Sequence, residues 1–108
     1  MRYMLLVCVD ESIEVNPRER SAAPWVDEMD RRGVRRDGSR LRPVVDATTV
    51  RLRGGEVVLS DGPFAETKEQ IAGYDVIECR DLDEAIEVAS KHPVAGYGAI
   101  EVRPFWEE

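Results

Sequence analysis

The apolar positions divide the chain into short segments of different period. Tyr3 to Val9 is an unbroken apolar run, which predicts a strand buried on both faces and central in a sheet. Asp10 and Glu11 end it, and the polar stretch 12–20 carries Asn16-Pro17, a turn or loop signal. From Ser21 the period changes. Ala22, Trp25, Val26 and Met29 fall at i, i+3, i+4 and i+7, so a helix presents one apolar stripe. Pro24 fits its first turn, where a missing N–H does no harm, and Gly33 ends it as a left-handed cap. Val50 and Leu52 then alternate with Thr49, Arg51 and Arg53 up to Gly54-Gly55, a two-residue hairpin turn. That turn predicts the register Arg53 opposite Glu56, Leu52 opposite Val57 and Val50 opposite Leu59. Ile71 to Cys79 reads as a further strand with one flaw, since Asp75 shares a face with Ile77 and Cys79. Asp81 caps a second helix, Glu84 completes a capping box, and Leu82, Ala85, Ile86 and Ala89 form its stripe until Pro93 stops it. The last strand is Ala99 to Arg103, with Ile100 and Val102 inward.

Strand, helix, two strands, strand, helix, strand is an α+β order. It predicts a ferredoxin-like split βαβ sheet with two helices on one face. At 108 residues the chain is one domain, 1–108. The sheet face without helices needs a cover, and pairing two such sheets face to face in a homodimer is the simplest one.

Composition sharpens this picture. Hydrophobic residues make up 43% of the chain and charged residues 34%, enough apolar content for a core and too much for disorder. The net charge of −7 repels a phosphate backbone, so direct nucleic-acid binding is not expected. The local exception is the run holding Arg31, Arg32, Arg35, Arg36, Arg40 and Arg42. It reads either as a solvated helix end and loop or as a contact patch for an acidic partner or anionic ligand. Cys8 and Cys79 stand far apart without a Cys-x-x-Cys pairing, as buried, reduced residues of a cytoplasmic protein would. The apolar N-terminus reaches an acid at residue 10, too soon for a signal-peptide core or a membrane span. Metal-ligand spacing, a phosphate loop, a nucleophile elbow and a dinucleotide fingerprint are all missing, so no metal and no cofactor are expected.

The segment Asp61-Gly62-Pro63-Phe64-Ala65-Glu66-Thr67-Lys68-Glu69 resembles the DGPF-domain family, a branch of the YCII-related proteins. Tyr3-Met4-Leu5-Leu6, Gly73-Tyr74, Asp81-Leu82-Asp83-Glu84-Ala85, His92-Pro93 and Ile100-Glu101-Val102-Arg103-Pro104 extend the resemblance from end to end. It implies a fold of the dimeric α/β barrel group. It also implies a His and an Asp near a cleft as a proposed catalytic pair, and association with alternative sigma factors. The wider group carries its histidine in the first helix. Here Ser21 to Asp30 has none, and His92 is the chain's single histidine.

Residue by residue, Asp61-Gly62-Pro63 is first a turn whose Asp accepts backbone N–H bonds, and second a general base or ligand contact. Phe64 is expected to plug the loop into the core, and Thr67 to start a short helical turn with Gln70. His92 ends the second helix, whose dipole would raise its pKa. It is either a bland helix-ending residue or a proton shuttle paired with Asp61, with Glu28 as an alternative carboxylate. Phe64, Glu66, Lys68, Tyr74, Glu28 and Arg103 are the candidate ligand contacts around that pair. Glu101 and Arg103 also read as a cross-strand ion pair. Two functions follow. One is small-molecule binding beside the signature loop, with cofactor-free acid–base catalysis. The other is a non-catalytic regulatory module tied to a sigma factor.

Overall fold

A computed structural model describes residues 1–107. Its main sheet is antiparallel with strand order β2-β5-β1-β6, where β1 is Arg2–Val9, β2 Arg35–Arg40, β5 Gln70–Glu78 and β6 Ala99–Pro104. Helix α2 (Ala23–Arg31) links β1 to β2, and α3 (Leu82–Ser90) links β5 to β6. Each connection skips one strand, which is the split βαβ arrangement expected of a ferredoxin-like fold. β3 (Thr48–Arg53) and β4 (Glu56–Asp61) form a separate two-stranded sheet between β2 and β5. A single turn, α1 (Pro17–Arg20), is capped by Asn16, whose side chain accepts from the Arg18 N–H.

β1 lies in the middle, paired with β5 and β6, as its apolar run predicts. Alternation sends Tyr3, Leu5 and Val7 toward the helices. There Tyr3 and Leu5 meet Trp25 and Met29 of α2, Ile77 of β5 and Val88 of α3 in one core. Trp25 spans the two helices, its indole N–H donating to the Val88 carbonyl at 3.0 Å. Gly33 ends α2 at φ 70°. Asp81 accepts from the Glu84 N–H at 2.9 Å, and the Glu84 carboxylate reaches back to the Arg80 N–H at 2.9 Å, one residue before the expected donor.

The structure departs from the sequence reading at α1, which lies in the polar stretch read as turn or loop, and in two further places. β2 lies within the arginine stretch taken as helix end and loop. Its residues Arg35–Arg40 carry no apolar alternation, because β2 is an edge strand held by β5 on one side. The Gly-Gly hairpin has the predicted register, with Gly54 and Gly55 at φ 57° and 80°, but belongs to the second sheet. That hairpin stretches the molecule. The radius of gyration is 15.7 Å, where a compact chain of this length has about 13 Å.

Candidate functional site

A cleft of about 610 Å³ opens at the end of the sheet beneath the segment that joins β1 to α2. Val7 and Val9 of β1 and Val94 after α3 give it apolar walls, and Asp75 and His92 bring polar groups. Arg35 and Arg40 of β2 and Arg20 of α1 add cations, while Asp10 and Glu11 add anions.

His92 is 5% exposed. Its backbone N–H ends α3 by donating to the Ala89 carbonyl at 3.1 Å, while its side chain turns to the next segment. Its Nδ1 accepts the Val94 N–H at 3.1 Å and caps the short 3-10 turn Pro93–Gly96. A nitrogen that accepts carries no proton, so the neutral ring holds its proton on Nε2. Among the described residues Nε2 has no protein partner, and no buried side-chain polar atom is sealed without one. Nε2 is therefore open to the cleft. The Trp25 ring meets the imidazole edge-on at 4.8 Å between centroids. Burial pushes the His92 pKa down to about 4, against the rise expected from the helix dipole. Desolvation outweighs the dipole because the ring is packed on Trp25 rather than standing in water at the helix end. At neutral pH His92 is thus a hydrogen-bond donor. Its basic nitrogen accepts the Val94 N–H, an arrangement that suits a donor to a ligand oxygen better than the proton shuttle expected of it.

Asp75 explains the flaw in its strand. It is buried, and Arg35 Nε donates to its Oδ1 at 2.9 Å. Burial holds the carboxyl above its ordinary range, although the Arg35 guanidinium pulls it back toward the charged form. Gly38 lies opposite Asp75 in the sheet, where a Cβ would collide with Asp75 Oδ1 and come within 2.9 Å of the Tyr74 carbonyl oxygen. The pair of β2 and β5 is closed this tightly because the ion pair sits against bare backbone.

The other expected residues go elsewhere. Asp61 is exposed at the end of β4, opposite Thr48, and is not among the residues that line the His92 cleft. Phe64 does not plug the core. It is 79% exposed, with the Arg51 guanidinium 5.3 Å from its ring centre, and lines a second, shallower cleft of about 720 Å³ with Pro63, Gln70 and Ile71. Thr67 starts no helical turn; its hydroxyl donates to the Glu69 carbonyl, and the Gln70 amide ties down the carbonyls of Ala65 and Thr67. Glu66 and Lys68 are exposed and outside both linings. Tyr74 contributes to the cleft wall, but strand alternation sends its side chain, with those of Leu6 and Ser39, to the face without helices. Glu28 pairs with Arg32 at 3.5 Å and Lys91 at 3.2 Å, outside the cleft lining. Arg103 lies 3.6 Å from Glu101 on the same strand rather than across strands.

Sequence reasoning missed Arg35 and Asp75 as a pair. The signal was present, since a carboxylate on the core face of a strand requires a buried cation or a proton. Burial pushes the Cys79 thiol up to about 11 and raises Cys8 as well, which disfavours the thiolate at both. Among the described residues no group of three or more His, Cys, Asp or Glu could hold a metal, and no helix is long and apolar enough to cross a membrane.

The YCII-related domain family matches the chain over residues 1–108. An uncharacterised protein of Rhizobium meliloti (strain 1021) is 38% identical, the match covering 96% of this chain and 91% of that one.

Proposed function

The chain belongs to the YCII-related domain family, and from that premise and the cleft we propose that it binds a small molecule against His92. The observation that carries this reading is a buried imidazole with one nitrogen fixed by backbone and the other, protonated nitrogen left free toward the cleft. Such a group costs desolvation and gains a partner only when a ligand arrives. The ligand that fits carries a carbonyl or carboxylate oxygen for Nε2–H and a short apolar body for Val7, Val9 and Val94.

The catalytic version of this reading changes the roles assigned from sequence. His92 polarises an oxygen instead of accepting a proton. The carboxylate that shares its cleft interior is Asp75, clamped by Arg35, rather than Asp61. Asp61 and Phe64 support a separate role for the signature loop at the foot of the hairpin.

The test is imidazole NMR on ¹⁵N-labelled protein, titrated with a panel of short-chain carboxylic acids and their amides. The expected result is a saturable shift of the His92 Nε2–H signal that His92→Asn abolishes in a parallel thermal-shift titration. No response to any probe, or an equal thermal shift in wild type and variant, overturns the reading.

A second reading rests on exposed apolar surface. Phe64, Ile71, Val50 and Leu59 are exposed in one chain, which supports an association with other polypeptide. A homodimer that covers the helix-free sheet face uses that surface directly. Association with an alternative sigma factor, the regulatory alternative, draws on the same surface and competes with it.

A further inference from the structure

The hairpin β3–β4 is the least supported part of the fold. It forms its own two-stranded sheet. A lone hairpin is marginally stable in water and needs a third strand or a surface to pack on. Its one apolar face has neither. Val50 and Leu52 are each 63% exposed, Val57 67% and Leu59 64%. The register puts these four side by side, Val50 opposite Leu59 and Leu52 opposite Val57. The same chain carries a second uncovered apolar surface. Alternation from the core residues of β1 leaves Met4, Leu6 and Cys8 on the helix-free face, only half-buried, beside Tyr74.

Resting on the homodimer reading above, we infer that the hairpin is an arm that packs its Val50, Leu52, Val57 and Leu59 face onto the helix-free sheet face of a second copy of this chain. The area supports that occupant. Four such side chains present on the order of 400 Å² of apolar surface. Two arms and two receiving faces, related by a twofold axis, then bury about 1,600 Å², the size of a stable specific interface. An interface on one arm alone would bury half of that, at the lower limit for a specific complex. A twofold dimer satisfies both uncovered surfaces of both chains at once. An anionic lipid surface is a poor occupant, because the chain carries a net charge of −7. The charge on the arm itself agrees. Arg51 and Arg53 alternate to the opposite face, leaving the docking face uncharged from Val50 to Leu59.

Sedimentation velocity on the full chain tests this. The wild type is expected at twice the 12.2 kDa chain mass at tens of micromolar. Leu52→Glu with Leu59→Glu changes exposed positions, so the fold, followed by far-UV circular dichroism, is retained while association weakens by about a hundredfold or more. Arg53→Gln on the opposite face, which sets no like charge against Glu56, leaves the dimer intact. Hydrogen exchange is expected to show arm amides protected in the dimer and open in the double variant. A wild type that sediments as a monomer overturns the homodimer reading and the arm with it. A double variant that stays dimeric, or arm amides that exchange freely in the dimer, overturns the arm alone. A monomer that forms a stoichiometric complex with a purified sigma factor through the arm assigns the surface to the regulatory alternative instead.

Discussion

Replacing His92 with Asn should remove a pH dependence whose size follows from the structure. Asn keeps an oxygen able to accept the Val94 N–H, so the cap survives, but it cannot take a proton. In the wild type the unfolded chain titrates His92 near 6.5, and the folded chain near 4, because burial disfavours the imidazolium. Between those two values the unfolded state binds a proton that the folded state refuses. The stability contributed by His92 therefore falls as pH drops from 6.5 toward 4, and that contribution is flat above and below the window. The interval, 6.5 minus 4, corresponds to about 3 kcal/mol for a fully sealed ring at about 1.4 kcal/mol per unit. The Nε2 edge faces the cleft, and solvent screening there reduces the expected loss to about 1–2 kcal/mol. Urea denaturation of wild type and His92→Asn at a series of pH values isolates the effect. Asp75, Asp10 and Glu11, with Arg20, Arg35 and Arg40, face the same cleft in both proteins and cancel in the difference. The wild type should lose its margin over the variant as pH falls through the window. Parallel curves, or an NMR tautomer with the proton on Nδ1, would refute the reasoning about both burial and the cap.

Three further outcomes follow from the same neighbourhood and from the arm. Asp75→Leu removes the 2.9 Å acceptor of the Arg35 guanidinium in a largely buried place, leaving it only Asp30 at 3.6 Å, and should cost about 2–4 kcal/mol in urea denaturation; a cost within error would mean the pair is solvated. Gly38→Ala drives a Cβ into Asp75 Oδ1 and the Tyr74 carbonyl, and should cost about 1–3 kcal/mol, with weakened protection of β2 amides in hydrogen exchange. Gly33→Ala is the control for it, since nothing lies within 4 Å there, so its cost comes from φ alone. Raising salt should strengthen dimerisation, because the interface is apolar while two chains of −7 repel, and sedimentation at low and high salt reads this directly.

The parts of the fold legible in sequence were those where one residue type has one local consequence. Gly54-Gly55 dictated a turn and so a register, and Asp81 with Glu84 dictated a helix start. β2 was not legible because an edge strand between solvent and backbone needs no apolar period; Arg35, Asp37 and Ser39 satisfy it as well as valines would. The location of the hairpin was not legible for the opposite reason. Its alternation is that of any half-buried strand, and nothing local says whether the apolar face meets this chain or another. The site was half legible. His92 stands out in the sequence as the single histidine, and Asp75 as an anomaly in its strand, but only the sheet brings the loop after α3 and the face of β5 into one cleft. Pairing His92 with Asp61 failed because sequence distance says nothing about which end of which sheet a turn occupies.

The signature segment then has a mechanical reading that can be separated from ligand binding. Gly62 sits at φ 101°, its N–H donates to the Ala47 carbonyl at 2.8 Å, and its own carbonyl accepts the Thr49 hydroxyl at 2.9 Å. These contacts close the foot of the arm where β4 leaves β3. Behind it, the Gln70 amide fixes the loop carbonyls of Ala65 and Thr67 and fixes where β5 begins. A Cβ on residue 62 meets nothing within 4 Å, so Gly62→Ala is strained by its backbone angle alone, at about 1–2 kcal/mol. Because that strain is applied at the arm's foot, it should open arm amides to exchange and loosen the dimer in sedimentation. The His92 imidazole signals, in a cleft that Gly62 does not line, should stay where they were. If Gly62→Ala instead moves the His92 signals and leaves the arm protected, the loop serves the cleft and the mechanical reading is wrong.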